Sequence, residues 1–154
     1  MRTMQARPLS RMLSTMFDWA IAYAVALLFS FQSILAFIEA ISDSTPANIT
    51  TAFLDALITG SIVIIFIIIY FLILPIYWKG QTVGKRFFRI RIVKTNGHAL
   101  DFQTMFVREV FGIILVGLAS LGASVIAEWF TIALSDHHQS FHDILASTQV
   151  VDAD

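Results

Sequence analysis

Arg11 and Asp18 stand seven positions apart where a long apolar run begins. On a helix they share a face, separated by ~10 Å along the axis at about 1.5 Å per residue. If Arg11 reaches the headgroups of a bilayer, Asp18 lies about that far into hydrocarbon. A charge there costs roughly 2.5–3.5 kcal/mol and is a functional-site candidate by default. Two chemistries suit such a carboxylate. It binds a cation or carries a proton, with Arg11 or a loop cation setting its charge state, or it pairs with a basic residue and locks a helix bundle. Glu128 is a second carboxylate inside an apolar run, with Trp129 beside it.

Asp136-His137-His138-Gln139-Ser140-Phe141-His142-Asp143 gathers three of the four histidines with two carboxylates. His138 and His142 would share a helix face at i, i+4, as zinc-binding imidazole pairs do. No third ligand follows at motif spacing, so no metal is expected, and an aspartate or serine capping a short helix after Phe141 is the better reading. Gly80-Gln81-Thr82-Val83-Gly84-Lys85 is similar to a phosphate-binding loop. Its glycines, however, are one residue too close, Arg86 replaces the hydroxyl that would hold magnesium, and an apolar helix precedes it in place of a soluble strand. A helix end at Lys79-Gly80 followed by a basic turn fits better. Cysteine is absent, which removes thiolate metal sites, iron–sulfur clusters and cysteine nucleophiles. No nucleophile and base stand at an interpretable spacing, so neither an enzyme nor a cofactor is expected.

The elements that must position these residues are apolar. Of 154 residues 57% are hydrophobic and 14% charged, with a mean hydropathy of +0.77; soluble domains run at roughly 45–50% and about 25%. Residues without formal charge run from Trp19 to Ile38, Ala56 to Trp78 and Val110 to Ala127. Each approaches the ~20 residues that a helix needs to cross ~30 Å of hydrocarbon. The first run is too long for a signal peptide and reads as an uncleaved anchor. Arg2, Arg7 and Arg11 precede it, no Lys or Arg falls in the loop Glu39 to Asp55, and seven of the ten basic residues fall in Lys79 to Glu109. The positive-inside rule then puts the N-terminus and the 79–109 loop in the cytoplasm. The third apolar segment, about 110–134, is broken by Gly112, Gly117 and Gly122 and interrupted by Glu128. A straight crossing and a re-entrant pair of half-helices both fit it.

Phe88 to Lys94 alternates apolar and basic residues, placing Ile90 and Ile92 on one face and Arg89 and Arg91 on the other, and Asn96-Gly97 follows. That predicts a β-hairpin with a type I′ turn. Its return strand, His98 to Leu100, is short, and Ser147 to Val151 in the tail is an attractive further strand. If the tail pairs there, it is cytoplasmic. Pro75 is expected to kink the second helix, with Tyr77 and Trp78 at headgroup level.

With these motifs in this order, the chain resembles the RDD family of small membrane proteins, named for one arginine and two aspartates. Arg11 and Asp18 look like the arginine and the first aspartate. Gly80, Thr82, Gly84 and Lys85 running into Arg91-Ile92-Val93 and Asn96-Gly97 look like its cytoplasmic signature. Arg108 looks like the arginine before its last apolar segment, and His142, Asp143, Ala146, Thr148, Val150 and Val151 look like its C-terminal pattern. Arg89 departs from a usual glycine, and His137 and His138 stand where relatives carry lysine or arginine, which favours a cytoplasmic tail and a re-entrant third segment.

The resemblance implies transport of ions or other ligands, with Arg11, Asp18, Asp143 and His142 at the site and Glu128 and Arg108 as secondary candidates. The alternative is a non-catalytic accessory or assembly factor of a membrane complex. The expected fold is an all-α integral membrane protein with two transmembrane helices, the third apolar segment and a small cytoplasmic β-ribbon. A single domain covers 1–154, with apolar segments at about 12–41, 56–78 and 110–134, the loop at 79–109 and the tail at 135–154. Expected partners are the bilayer, anionic lipid headgroups at the basic loop, and further copies or another membrane protein, but not nucleic acid. The expected location is a bacterial inner membrane.

Overall fold

A computed structural model of the chain describes residues 4–43, 45–110 and 139–153. The expected third segment, Glu128, His137 and His138 lie outside the described residues. The fold is mostly helical with a two-stranded antiparallel sheet. Two units make it up: Trp19–Ile69 is one, and Met1–Asp18 with Tyr70–Asp154 is the other.

Helix α1 runs Pro8–Asp43 and α2 runs Pro46–Ile68, continuing through a π-helical turn, Ile69–Ile73, into α3, Leu74–Tyr77. Pro8–Ser42 and Ala47–Tyr77 are long and apolar enough to cross a membrane. The π turn answers to Pro75. Proline has no N–H to give the carbonyl four residues back, so the ladder rearranges just before it. The expected loop Glu39 to Asp55 is corrected: the helices take nearly all of it. Thr45 caps α2, its hydroxyl accepting from Asn48 N at 3.4 Å, and Pro46 opens the first turn. Proline is pre-shaped for that position. A charge-free run measures what hydrocarbon tolerates, whereas a helix ends where its caps are.

Within the Trp19–Ile69 unit most large side chains are exposed, and the buried residues are small: Ala22, Ala40, Ala52 and Ser33. Ser33 donates to Asp55 Oδ2 at 2.5 Å and lies 2.8 Å from Thr59 Oγ1.

In the other unit, α3 ends at Tyr77; beyond it Lys79 is left-handed at φ 52, and Gly80 at φ 89 returns its N–H to Pro75 O. Thr82 then caps α4, Val83–Phe87, accepting from Lys85 N at 3.3 Å. Strand β1, Ile90–Lys94, pairs antiparallel with β2, Thr148–Asp152, with Ile92 opposite Val150. On the far side of β2, Gln5 bridges to Val151, Ala6 N bonds to Val150 O and Asp152 N to Met4 O. A lone two-stranded ribbon is marginal. This one buries Ile90, Ile92 and Val150 in a core with Ala6, Leu72 and Met105.

The predicted hairpin is therefore corrected too. A type I′ turn needs positive φ at both central residues. Gly97 has it at φ 76, while Asn96 is not among the residues with positive φ. Four residues after Gly97, Asp101 accepts from Thr104 N at 2.9 Å and caps helix α5, Phe102–Phe106, so the chain leaves the ribbon and the tail supplies the partner. After the short helix α6, Phe141–Leu145, Ser147 at φ 51 turns the chain into β2.

Arg89, between α4 and β1, is also left-handed, at φ 53. A Cβ in that region costs roughly 1–2 kcal/mol, partly offset in Gly by greater freedom of the unfolded chain. Arg89→Gly is expected to raise stability by about 0.5–1 kcal/mol. Thermal melting in detergent checks it, and an unchanged or lower midpoint counts against the strain.

Candidate functional site

Arg11, Ser14, Asp18 and Ala22 fall at helical spacing on one face of α1, and all four are buried. Asp18 ends this unit's share of the helix, and what surrounds its carboxylate comes from far along the chain. Oδ1 accepts from the Tyr70 hydroxyl at 2.7 Å and from Gly84 N at 2.8 Å. Oδ2 accepts from the Thr82 hydroxyl at 2.5 Å and faces the Lys85 ammonium at 3.5 Å. The loop turn is thus held against α1 through its glycine. A Cβ on Gly84 would sit 2.4 Å from Ser14 O and 2.8 Å from Asp18 Cγ. The phosphate-loop reading loses its donors here, because Gly84 N belongs to Asp18 and Lys85 N to Thr82.

Burial pushes the Lys85 ammonium below the usual lysine range; Asp18 opposes that shift and Arg108 adds to it. Desolvation disfavours a charged ammonium, and the carboxylates of Asp18 and, more weakly, Glu109 offset only part of that.

A second network lies in the same unit. Asp143, fully buried, takes a guanidinium N–H of Arg11 on Oδ2 and of Arg108 on Oδ1, the latter at 2.9 Å. Ser140 N donates to Oδ2 at 3.2 Å from the start of α6, the cap expected there, and the Thr148 hydroxyl reaches Oδ1 at 3.3 Å. Burial alone would raise the Asp143 carboxyl, but Arg108 and Arg11 outweigh it and hold the group well below the usual carboxylate range. His142 Nε2 lies 3.3 Å from Arg108, and Arg108 Nε lies 3.6 Å from Glu109.

The sequence-predicted residues Arg11, Asp18, Gly84, Lys85, Thr82, Arg108, His142 and Asp143 are thus brought into two networks, but not in the pairing that one helix face suggests. Arg11 meets Asp143, and Asp18 meets the loop cation. Gly80 serves the helix end and not the carboxylate: a Cβ on it would fall 2.0 Å from Ile92 O. Tyr70 and Ser14 went unnoticed. A hydroxyl amid the second apolar run and a serine between Arg11 and Asp18 on their shared face were the available signals. Asp55, taken as the end of a loop, lies inside α2 with Ser33 as its partner in the other unit.

The RDD family model matches residues 5–147, a range that holds every residue of both networks except Thr148. The chain is also 36% identical over 87 residues to the uncharacterized protein YckC of Bacillus subtilis (strain 168), an alignment covering 54% of this chain and 55% of that protein. It therefore spans about half the length of that relative. No solved structure matches.

Proposed function

A chain matched over residues 5–147 belongs to the RDD family, and from that premise we propose that it is a membrane protein acting as a transport component for cations or protons, with Asp18 as the exchanging group. The observation that carries this reading is the buried Asp18 at the inner end of a candidate spanning helix, ringed by two hydroxyls and one ammonium. An incoming monovalent cation finds carboxylate and hydroxyl oxygens within reach. It displaces the Lys85 ammonium, whose contact at 3.5 Å is the longest of the four. The tail strand shares a sheet with β1 and bonds to Met4 and Ala6, which supports a reading in which the N-terminus, the 79–109 loop and the tail share one side. The basic residues of the N-terminus and the loop favour the cytoplasmic side of a bacterial inner membrane in this reading. Three short apolar segments cannot alone enclose a pathway, so the working unit in this reading is an oligomer.

A second reading has its own support. All four contacts of Asp18 are filled and Asp143 is held by two guanidiniums, as in structural locks, which suits an accessory or assembly factor.

Proton flux in proteoliposomes under imposed Na⁺, K⁺ and Li⁺ gradients separates the two, with native protein and Asp18→Asn at matched incorporation. Transport predicts that flux falls at least about tenfold while enough folded protein remains to compare. Equal flux from a folded Asp18→Asn protein ends that role for Asp18. No flux from either protein, together with a lower melting midpoint for the variant, supports the lock.

A further inference from the structure

A cavity of about 500 Å³ opens where α3 ends, between Ile76, β1 and the 95–100 loop. It belongs to neither carboxylate network. Its volume is within the ~300–1,000 Å³ of small-molecule sites. The floor is apolar: Ile92 is 1% exposed, and Ile76 and Leu100 pack on the same core cluster. The wall carries Lys79, Lys94 and His98. Lys94 is already held, its ammonium donating to Asp101 Oδ2 at 2.6 Å, so that pair is neutral as a unit. Lys79, set by its left-handed φ of 52 just beyond the helix end, contributes the cavity's net positive charge.

One net positive charge above an apolar floor suits an anion that carries a single charge and an apolar body. A phosphodiester headgroup with the first carbons of its acyl chains has that form, whereas a phosphomonoester brings up to two charges and no apolar part. The position of the opening agrees. Ile76 precedes Tyr77, 80% exposed, and Trp78, over whose ring the Arg86 guanidinium lies at 5.1 Å. Exposed Tyr and Trp at the end of an apolar helix sit at headgroup depth, and basic pockets on the cytoplasmic side take anionic lipid heads. The loop that failed to form a hairpin is the outer lip of this cavity. With its return strand given up to the tail, residues 95–100 are left to curl over Ile92.

We propose that this cavity is a binding site for one anionic phospholipid, with Lys79 at the phosphodiester and Ile76, Ile92 and Leu100 under the glycerol and upper acyl carbons. The site rests on the membrane reading above and is independent of whether Asp18 exchanges ions.

The test uses the full chain in neutral detergent, titrated with phosphatidylglycerol, phosphatidylcholine or sn-glycerol 1-phosphate, with bound lipid read by native mass spectrometry and stability by thermal melting. Native protein is expected to retain one phosphatidylglycerol and to melt several degrees higher with it. Lys79→Asn, a residue tolerated in the left-handed region, should bind at least about tenfold more weakly. Ala99→Trp, which fills the cavity from its wall with no change of charge, should do the same. Arg7→Gln removes an equal charge on the same side outside the cavity and should bind like native. Phosphatidylglycerol binding unchanged in both cavity variants overturns the site, equal retention of phosphatidylcholine overturns its charge recognition, and equal stabilisation by glycerol phosphate assigns the cavity to a soluble anion instead. Recovery of the chain in the soluble fraction without detergent would fail the membrane reading first, and the lipid site with it.

Discussion

Asp143→Asn is expected to cost about 3–5 kcal/mol, the penalty for removing one partner of a buried charge network. Two guanidiniums converge on this carboxylate, and the Arg11 and Arg108 side chains are 7% and 4% exposed. An asparagine keeps one acceptor and turns an N–H₂ toward the other cation, so both buried guanidiniums lose the carboxylate charge they share. In thermal melting this is a fall of roughly 10 °C for a chain of this length, or outright loss of folded protein. Because Arg11 and Asp143 share the network, the Arg11→Met, Asp143→Asn double variant should fall short of the sum of the singles by about 0.5–3 kcal/mol. An unchanged midpoint for Asp143→Asn would remove the lock.

The pH dependence has a definite sign. The folded Asp143 carboxyl is held below its unfolded value. Its contribution is therefore complete above the ordinary carboxylate pKa of about 3.9 and is lost as pH falls from there through the lower folded value. Native melting should drop below about pH 4 with a component that Asp143→Asn lacks.

Gly84→Ala is the second large effect and involves no charge. The added Cβ would meet the backbone carbonyl of Ser14 at 2.4 Å as well as the Asp18 carboxylate at 2.8 Å. The carbonyl belongs to a helix and cannot rotate away as a flexible side chain does. Either the α4 turn backs off, breaking the 2.8 Å bond from Gly84 N to Asp18, or α1 bends. Overpacking of this kind costs about 1–3 kcal/mol and the lost bond to a charged acceptor roughly 1.5–3 more. Melting and membrane abundance should both fall. Gly60→Ala is the control, since nothing lies within 4 Å of its added Cβ. If Gly84→Ala melts like native, the close approach of loop to helix is wrong.

Several residues of both networks were legible in the sequence for different reasons: Asp18 is a carboxylate in an apolar run, where a charge is expensive, Gly84 is a small residue in a basic turn, and Asp143 belongs to a cluster of histidines and carboxylates just before an apolar tail. Their pairing was not. Arg11 and Asp18 share a face, but the ~10 Å between them along the axis exceeds a side-chain contact. The true partners, Asp143 for Arg11 and Lys85 for Asp18, lie 132 and 67 positions away. Only the packed unit sets such distances. The β-ribbon was legible from Ile90 and Ile92 alternating with arginines. Its partner depended on a competition between three residues after Asn96-Gly97 and five in the tail, and the cap at Asp101 decided it. Helix ends were misplaced at Asp55 because formal charge was taken as the boundary, although a carboxylate bonded to Ser33 is accommodated within α2.

The order of strands across the sheet, with β2 between β1 and the Gln5 segment, also sets an order in time. The middle strand leaves the ribosome after both of its neighbours. Until residues 148–152 emerge, Met4 to Ala6 and β1 have no common partner, and until Asp143 arrives Arg11 and Arg108 have no carboxylate between them. Both long helices are therefore synthesised well before the unit built on the sheet can close. A chain that stalls or is clipped before Asp143 would lack both the carboxylate that Arg11 and Arg108 share and the strand that covers the edge of β1, a signature by which a protease could tell unfinished molecules from finished ones.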